Sequence, residues 1–155
     1  MAERANIVDK YGEGYSIELF ESEPFFAMRV YRGDVQVGYA RCLVENDQVE
    51  LADIKITGRL KRHNLFTVLL GPLRGFMAKN YQSRGIGSKL LKEVIAYSRE
   101  IGAVSIHGRL AGKTELLTKW FSHHGFEVEN STGKISLMLG PGEIQKGHTV
   151  LTVSE

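Results

Sequence analysis

The sequence predicts a mixed α/β fold in which antiparallel strands come first and a βαβ crossover follows. Three observations support this prediction. The first third of the chain is rich in β-branched and aromatic residues, which is typical of strands. Two later segments place apolar residues at helical spacing. A glycine-containing turn precedes the first of these segments and a short apolar strand follows it, an order typical of two parallel strands joined by a helix.

The strands of the first third are expected to pair as antiparallel hairpins. Gly33-Asp34 and Asn46-Asp47 separate the last three strands, and these residue types favour the tight turns that connect neighbouring strands. The four strands are predicted at residues 15–20, 25–32, 35–44 and 48–56.

Two amphipathic helices follow in the second half of the chain. The first is predicted at residues 88–101, where Gly102 ends it, and the second at residues 113–124, where Gly125 ends it. Short strands are predicted at residues 104–108, 126–128 and 135–139.

Composition narrows the class of protein. The 155 residues fit one domain. The N-terminus lacks the apolar core of a secretory signal, and no apolar stretch approaches the ~20 residues that a membrane helix requires. The single cysteine, Cys42, has no intrachain partner and is interpreted as a small buried residue. We therefore expect a cytoplasmic protein.

Positive charge is concentrated in one segment. Residues 57–81 contain five Lys or Arg and no Asp or Glu, so this segment carries +5 and the rest of the chain, at a total of +2, carries about −3. Gly71-Pro72 interrupts it and no periodicity persists. It is interpreted as a long basic excursion from the sheet, with an ordinary helix packed on the sheet as the alternative.

The glycine turn before the first helix has the features of an anion site. The first N–H groups of a helix lack backbone partners and lie at the positive end of its dipole. Gly85 and Gly87 leave room for an anion to approach these groups. The spacing differs from that of a nucleoside-triphosphate loop and of a dinucleotide fingerprint.

Three motifs together resemble the GNAT superfamily of N-acetyltransferases over about residues 14–139. The run Gln82-x-x-Gly85-x-Gly87 is similar to the family's pyrophosphate-binding motif. Residues 50–56 resemble its central strand, which splays from its neighbour and receives the pantetheine arm. Residues 120–126 are similar to its late helix ending in a Gly-Phe pair.

The resemblance implies a single acyl-CoA N-acyltransferase domain over residues 1–155, with a splayed mixed sheet and helices on both faces. It implies acetyl-CoA as co-substrate, direct transfer to an amine of a small molecule or peptide, and no metal. Thr114 stands where many members carry an asparagine that contacts coenzyme A. The matching residues are Gln82, Ser83, Arg84, Gly85, Ile86, Gly87 and Ser88 in the pyrophosphate loop, and Ile54 and Ile56 on the strand facing the pantetheine and thioester.

Two carboxylates are candidates for the base that removes a proton from the amine. Glu50 matches the position of the glutamate base in histone-type members, and Asp53 is the alternative, expected on the opposite side of the strand by period-two alternation. Many members place a tyrosine acid where this chain has Phe121. Because a thiol has a pKa near ~8.5, the thiolate can leave unprotonated; Ser122, His123 and Tyr81 are possible substitutes.

Two departures concern the acceptor and the chain end. Family members usually have two helices between the first two strands, whereas only residues 21–24 separate them here. We expect residues 57–81 to replace those helices as a lid.

Residues 140–155 extend beyond the family's core, and they either add an edge strand, exchange with a second subunit in a homodimer, or fray.

Two other functions are compatible with these residues. A non-catalytic acyl-CoA-binding module would explain the missing tyrosine. A nucleic-acid contact through residues 57–81 would require affinity that falls steeply with salt, and the net charge of +2 gives it little support.

Deleting residues 60–76 is expected to impair use of the acceptor amine more than binding of acetyl-CoA, if residues 57–81 form a lid over the acceptor. Thermal-shift titration with acetyl-CoA and steady-state acetylation of an amine measure the two separately. An equal loss of both would contradict the lid.

Overall fold

The computed structural model describes residues 2–56, 84–110 and 115–140. Five strands come first, and two helices then alternate with three further strands. Their bounds are β1 Ala2–Val8, β2 Gly14–Ser22, β3 Phe25–Arg32, β4 Val35–Glu45, β5 Gln48–Ile56, α1 Ile86–Glu100, β6 Ser105–Arg109, α2 Glu115–His123, β7 Glu127–Val128 and β8 Lys134–Met138.

All strands belong to one eight-stranded sheet in the order β1-β2-β3-β4-β5-β6-β8-β7. The first five strands pair consecutively and antiparallel, as the hairpin turns predict. Gly33 and Asn46 have φ angles of 57° and 56°, the left-handed conformation that these turns require. β5 and β6 pair in parallel, which confirms the crossover.

Both described helices pack on the same face of the sheet. Gly87 of α1 lies against Ile56 and Trp120, so α1 contacts both the end of β5 and α2. The crossovers β5-α1-β6 and β6-α2-β7 proceed in the same direction across the sheet, and right-handed connections then place both helices on one face. Buried residues of the sheet, α1 and α2 form one core, which includes Ile17, Met28, Cys42, Val49, Leu90, Leu91, Ile106 and Phe121.

The opposite face, here called the second face, carries no helix from the described ranges. Only Glu23 and Pro24 separate β2 from β3, so the pair of helices that usually stands at this point of the fold is absent there. Helices on both faces, which the resemblance implies, would have to include a part of the chain outside the described residues. The predicted lid at residues 57–81 lies outside them, as does the tail from residue 141 onwards.

β1 is a strand that the sequence pattern did not indicate. It has no alternation of apolar residues, and it lies at the edge of the sheet, where tertiary contacts decide its conformation. Arg4 fastens it to α1: its Nε lies 3.2 Å from Glu93 and its Nη1 2.8 Å from Glu100. The guanidinium also lies 5.2 Å from the centre of the Tyr97 ring.

Among the described residues no helix is long and apolar enough to cross a membrane.

Gly108 and Leu51 form the last residue pair between β5 and β6. We expect Gly108→Ala to destabilise the fold. A Cβ there would lie 2.8 Å from the Leu51 carbonyl oxygen, so the strands must separate, at a cost of about 1–3 kcal/mol in the free energy of unfolding. Urea unfolding measures it. Gly14→Ala is the matched control, because nothing lies within 4 Å of its added Cβ; equal effects of the two substitutions would contradict the assignment.

Candidate functional site

The parallel pairing of β5 and β6 ends well before β5 does. Their parallel pairing runs from Gln48 and Ser105 to Leu51 and Gly108 and then stops, although β5 continues to Ile56. The described part of β6 therefore leaves the edge of β5 from residue 52 onwards without a ladder. This is the splayed pair of strands that the sequence resemblance implies.

A β-bulge coincides with the point of separation. Leu51 is paired with Cys42 and Asp53 with Arg41, so Ala52 is the extra residue of β5. A bulge shifts the alternation of side chains by one residue. Asp53 consequently lies on the same face as Glu50, whose partner is Leu43. The expectation that these two carboxylates occupy opposite sides of the strand was wrong, because alternation holds only without a bulge.

The gap between the strands contains a cavity of about 170 Å³. Leu51 and Ile54 line it from the face that carries the helices, and Asp53 lies on the second face by its pairing with Arg41. The cavity thus joins the two faces of the sheet. Its lining residues are Leu51, Ala52, Asp53, Ile54, Arg109, Leu110, Leu117, Phe121 and Ile135.

The N-terminus of α1 opens beside the end of β5. Gly85 precedes the helix with φ 83°, no side chain caps it, and its first turn contains no acidic residue. Within the described residues, the first backbone N–H groups of the helix therefore have no capping side chain. A Cβ on Gly87 would lie 3.4 Å from Ile56 and 3.6 Å from Trp120. This cradle fits an anionic group such as a pyrophosphate, whose approach requires uncapped amides and small residues.

Arg84, a predicted member of the pyrophosphate loop, is held by the turn between β1 and β2. Its Nη1 lies 3.1 Å from Asp9 and 2.8 Å from Glu13, and the guanidinium lies 4.9 Å from the centre of the Tyr11 ring. Its carbonyl oxygen accepts a hydrogen bond from the Lys10 N–H at 3.1 Å. Arg84 thus anchors the loop through these contacts to the β1–β2 turn.

Asp9 is the centre of this anchor. Its buried carboxylate accepts hydrogen bonds from the Tyr15 hydroxyl at 2.8 Å and from the N–H groups of Tyr11 and Glu13 at 2.8 and 3.0 Å. Burial alone raises the pKa of Asp9, but the bonds from Tyr15, Glu13, Tyr11 and Arg84 outweigh it and hold the pKa well below its usual range. No sequence motif pointed to this contact, which joins residues 75 positions apart.

Ser88 links the start of α1 to α2. Its hydroxyl oxygen accepts a hydrogen bond from Trp120 Nε1 at 3.1 Å and lies 3.0 Å from Nε2 of His124. Burial lowers the pKa of His124, and the charges of His123 and Lys92 lower it further, which favours the neutral imidazole. Sequence patterns did not indicate this contact, since helical spacing alone does not show which helix His124 contacts.

The predicted site residues fall into three groups. Asp53, Ile54, Ile56 and the turn from Arg84 to Ser88 are brought together around the gap and the start of α1. Glu50 is half-buried where β5 and β6 are still paired, beside His107, and it does not line the gap. Gln82, Ser83 and Thr114 lie outside the described residues, as does the alternative acid Tyr81.

Phe121 stands at the position where the resemblance would place a tyrosine acid. Its buried ring lines the gap and packs edge-on against Trp120 and Phe126, with centroid distances of 4.8 and 5.3 Å. The gap therefore receives an aromatic ring without a hydroxyl from α2. Ser122 and His123 are exposed.

We expect Asp9→Asn to lower the melting temperature at neutral pH. The melting temperature of the variant should also fall less between pH 7 and pH 2 than that of the native protein. Because the folded pKa of Asp9 is depressed, its stabilisation is present above the unfolded value of about 3.9 and is lost as pH falls below it. Melting temperatures between pH 7 and pH 2 measure this. Asp34→Asn, at an exposed turn, is the control; parallel curves for Asp9→Asn and the native protein would refute the anchor.

A family comparison agrees with this geometry. The sequence model of the acetyltransferase (GNAT) family matches residues 4–126. No curated protein sequence matches the chain significantly.

Solved structures share the fold at low sequence identity. The PaiA N-acetyltransferase of Thermoplasma acidophilum, in complex with coenzyme A, has a TM-score of 0.54 at 14% identity, over 74% of this chain and 61% of that one. The ribosomal-protein-S18-alanine N-acetyltransferase of Escherichia coli has a TM-score of 0.52 at 13% identity, over 75% and 67%. The GNAT domain of S. lividans PAT has a TM-score of 0.62 at 12% identity, over 86% and 96%.

The chain spans 61% of the first of these structures, less than two thirds of its length. Likeness at these identities indicates the fold alone, whereas the family match extends over most of the chain. With its splayed strands and the uncapped helix beside them, the chain belongs to the GNAT family of acetyltransferases.

Proposed function

We propose that this protein transfers the acetyl group of acetyl-CoA directly to a primary amine of a small molecule or peptide. The observation that carries the proposal is the gap between β5 and β6 beside the uncapped N-terminus of α1. The gap suits an extended acyl chain, and the helix N-terminus suits a pyrophosphate. The two features adjoin at Ile56 and Gly87. The bound coenzyme A of the Thermoplasma structure supports the same donor.

The donor is proposed to bind on the face that carries the helices. The backbone of residues 82–88 is proposed to hold the pyrophosphate, and the edge of β5 at Ile54 and Ile56, beyond the end of its pairing with β6, is proposed to face the pantetheine arm and the thioester. Thr114 is proposed to donate a hydrogen bond to the coenzyme. A backbone N–H near Ile54 or Lys55 would stabilise the oxyanion, since a fixed donor in a closed site needs no reorganisation.

The reaction requires one bond to form and one to break. The lone pair of the neutral amine attacks the thioester carbonyl carbon, and the carbon–nitrogen bond forms. The carbon–sulfur bond then breaks with its electron pair on sulfur. The amine loses one proton to a carboxylate or through a water to it, and the thiolate takes up a proton from solvent. Because Phe121 has no hydroxyl, the chain supplies no acid from that position.

Asp53 is the carboxylate closer to the reacting centre. It lines the gap and accepts hydrogen bonds from the Tyr39 hydroxyl at 2.7 Å and from Arg41 at 3.3 Å. The bond to Asp53 raises the pKa of Tyr39, so the phenol keeps its proton and orients the carboxylate. Glu50 lies on the same face earlier along β5 and would act through a water. We therefore propose Asp53 as the base, with Glu50 as the alternative.

A non-catalytic acyl-CoA-binding module is the second candidate. The observation that favours it is the Phe121 ring in the gap, where many family members have a tyrosine. Binding of acetyl-CoA without release of free thiol in the presence of any amine would support it.

Gly87→Asp is expected to weaken acetyl-CoA binding by roughly tenfold or more, because it places a negative charge at the helix N-terminus that receives the pyrophosphate. Thermal-shift titration with acetyl-CoA gives the affinity. Gly87→Ala adds the Cβ without the charge, and Lys92→Glu places a carboxylate on an exposed position further along α1. If Lys92→Glu weakens binding as much as Gly87→Asp, the helix N-terminus is not the pyrophosphate site.

Asp53→Asn is expected to lower kcat by roughly 10²-fold or more while acetyl-CoA affinity is retained, the usual contribution of a general base. Glu50→Gln should then have the smaller effect. Unchanged melting temperature and acetyl-CoA affinity in the variant that loses kcat separate this role from a structural one. A protein indifferent to both substitutions, with acetyl-CoA binding intact, would instead be the non-catalytic module.

A further inference from the structure

The second face of the sheet carries a cavity that the donor site does not use. Its volume is about 430 Å³, and the residues that line it belong to β3 and β4. Arg29 is paired with Tyr39 and Ala27 with Arg41, while Gln36 is paired with Tyr31. All of these side chains share the face on which Asp53 lies. The small side chain of Ala27 leaves open space beside the two guanidinium groups.

The two arginines stand as diagonal neighbours around this space. Because Tyr39 is paired with Arg29, Arg41 is two residues further along β4, the spacing at which long side chains on one face meet. Each guanidinium lies over an aromatic ring: Arg29 is 4.2 Å from the centre of the Phe20 ring and Arg41 is 5.5 Å from that of Tyr39. The rings restrict where the charges lie.

The lining of the cavity suits an anion. No carboxylate lines it among the described residues; its polar groups are the two guanidiniums, the phenol and the Gln36 amide. Among the described acidic residues, Glu18 is paired with Arg29, and Asp53 contacts Arg41 through a single nitrogen at 3.3 Å. A guanidinium has five N–H donors in a fixed fork, so Arg41 retains donors for a carboxylate or phosphate.

This cavity adjoins the gap between β5 and β6 through Asp53. Asp53 lines the gap and is bonded to Tyr39 and Arg41, which line the cavity. An amine in front of Asp53 would therefore lie one to two strand spacings from the arginines, roughly 5–10 Å. That is the length of two or three extended residues.

We propose that the acceptor is an amine that carries a carboxylate or phosphate roughly 5–10 Å from its nitrogen, with the anionic group bound between Arg29 and Arg41. This inference rests on the proposed acetyl transfer and names its substrate class. It disfavours polyamines, because their second ammonium group would meet two guanidiniums. The Asp53 carboxylate at the gap receives the amine, and the arginines set the distance to the anion.

The test compares matched acceptors in the intact protein. Tri-alanine and its C-terminal amide have the same amine and differ only in the terminal charge; a linear diamine of similar length and an aminoalkyl phosphate complete the set. Release of free thiol from acetyl-CoA gives kcat/KM for each. We expect kcat/KM for tri-alanine to exceed that of its amide by roughly tenfold, which corresponds to the usual free energy of a hydrogen bond to a charged group. The aminoalkyl phosphate compares phosphate with carboxylate as the anionic group.

Arg29→Gln should reduce the ratio of tri-alanine to its amide towards one, and Arg29→Glu should invert it in favour of the amide and the diamine. Lys119→Gln is the matched control, since Lys119 is an exposed cation on α2 and its loss should leave the ratio as in the native protein. A native ratio near one, or a ratio unchanged in Arg29→Gln, would overturn the inference.

Calorimetric binding of the same two peptides in the presence of coenzyme A measures the preference without turnover. A protein that binds tri-alanine over its amide through Arg29 but releases no thiol contradicts the acetyltransferase proposal alone. One that acetylates both peptides equally contradicts the anion site alone. Absence of both turnover and binding preference contradicts both.

Discussion

The separation of β5 from β6 is the constraint on which the rest of the site depends. A parallel pair normally satisfies its backbone groups along its full length, and ending the ladder exposes N–H and C=O groups that water or a ligand must satisfy. Here the ladder ends at Leu51 and Gly108, where the extra residue Ala52 bends β5 and the absence of a side chain at Gly108 lets the strands approach closely just before they diverge. The cavity lies where this pairing ends, and the bulge at the same point places Asp53 on the second face.

The start of α1 is held from two directions. From one side, the buried Asp9 carboxylate and Glu13 bind Arg84. From the other, Trp120 and His124 of α2 contact the Ser88 hydroxyl. Arg84 and Ser88 thereby position the loop through their contacts with the β1–β2 turn and α2, and among the described residues no side chain caps the helix that follows. A site of this kind recognises an anion through the main chain, and side-chain charge contributes through geometry more than through direct attraction.

Periodicity and turn chemistry predicted the strands β2 to β5, both helices and the parallel crossover, because each has a strong local signal. The helix α1 begins at Ile86, two residues earlier than its apolar stripe indicates, since Gly85 takes the left-handed conformation before it. β1 was missed because its conformation depends on contacts with α1. The side of Asp53 was predicted wrongly because nothing local marks Ala52 as a bulge, and the bond between Asp9 and Arg84 is too distant in sequence to infer. The positions of Gln82, Ser83 and Thr114 stay predictions.

The burial of Cys42 has a consequence for the reaction's product. Acetyl transfer generates a free thiol beside a protein whose only cysteine sits in the core of the sheet, where burial raises its pKa to about 12. Thiolates, not thiols, exchange with disulfides. The Cys42 side chain is therefore protonated and unreactive in thiol–disulfide exchange at neutral pH. In the proposed reaction, coenzyme A released at the gap would therefore form no mixed disulfide with Cys42, and the folded chain should not react with a reagent that measures free thiols.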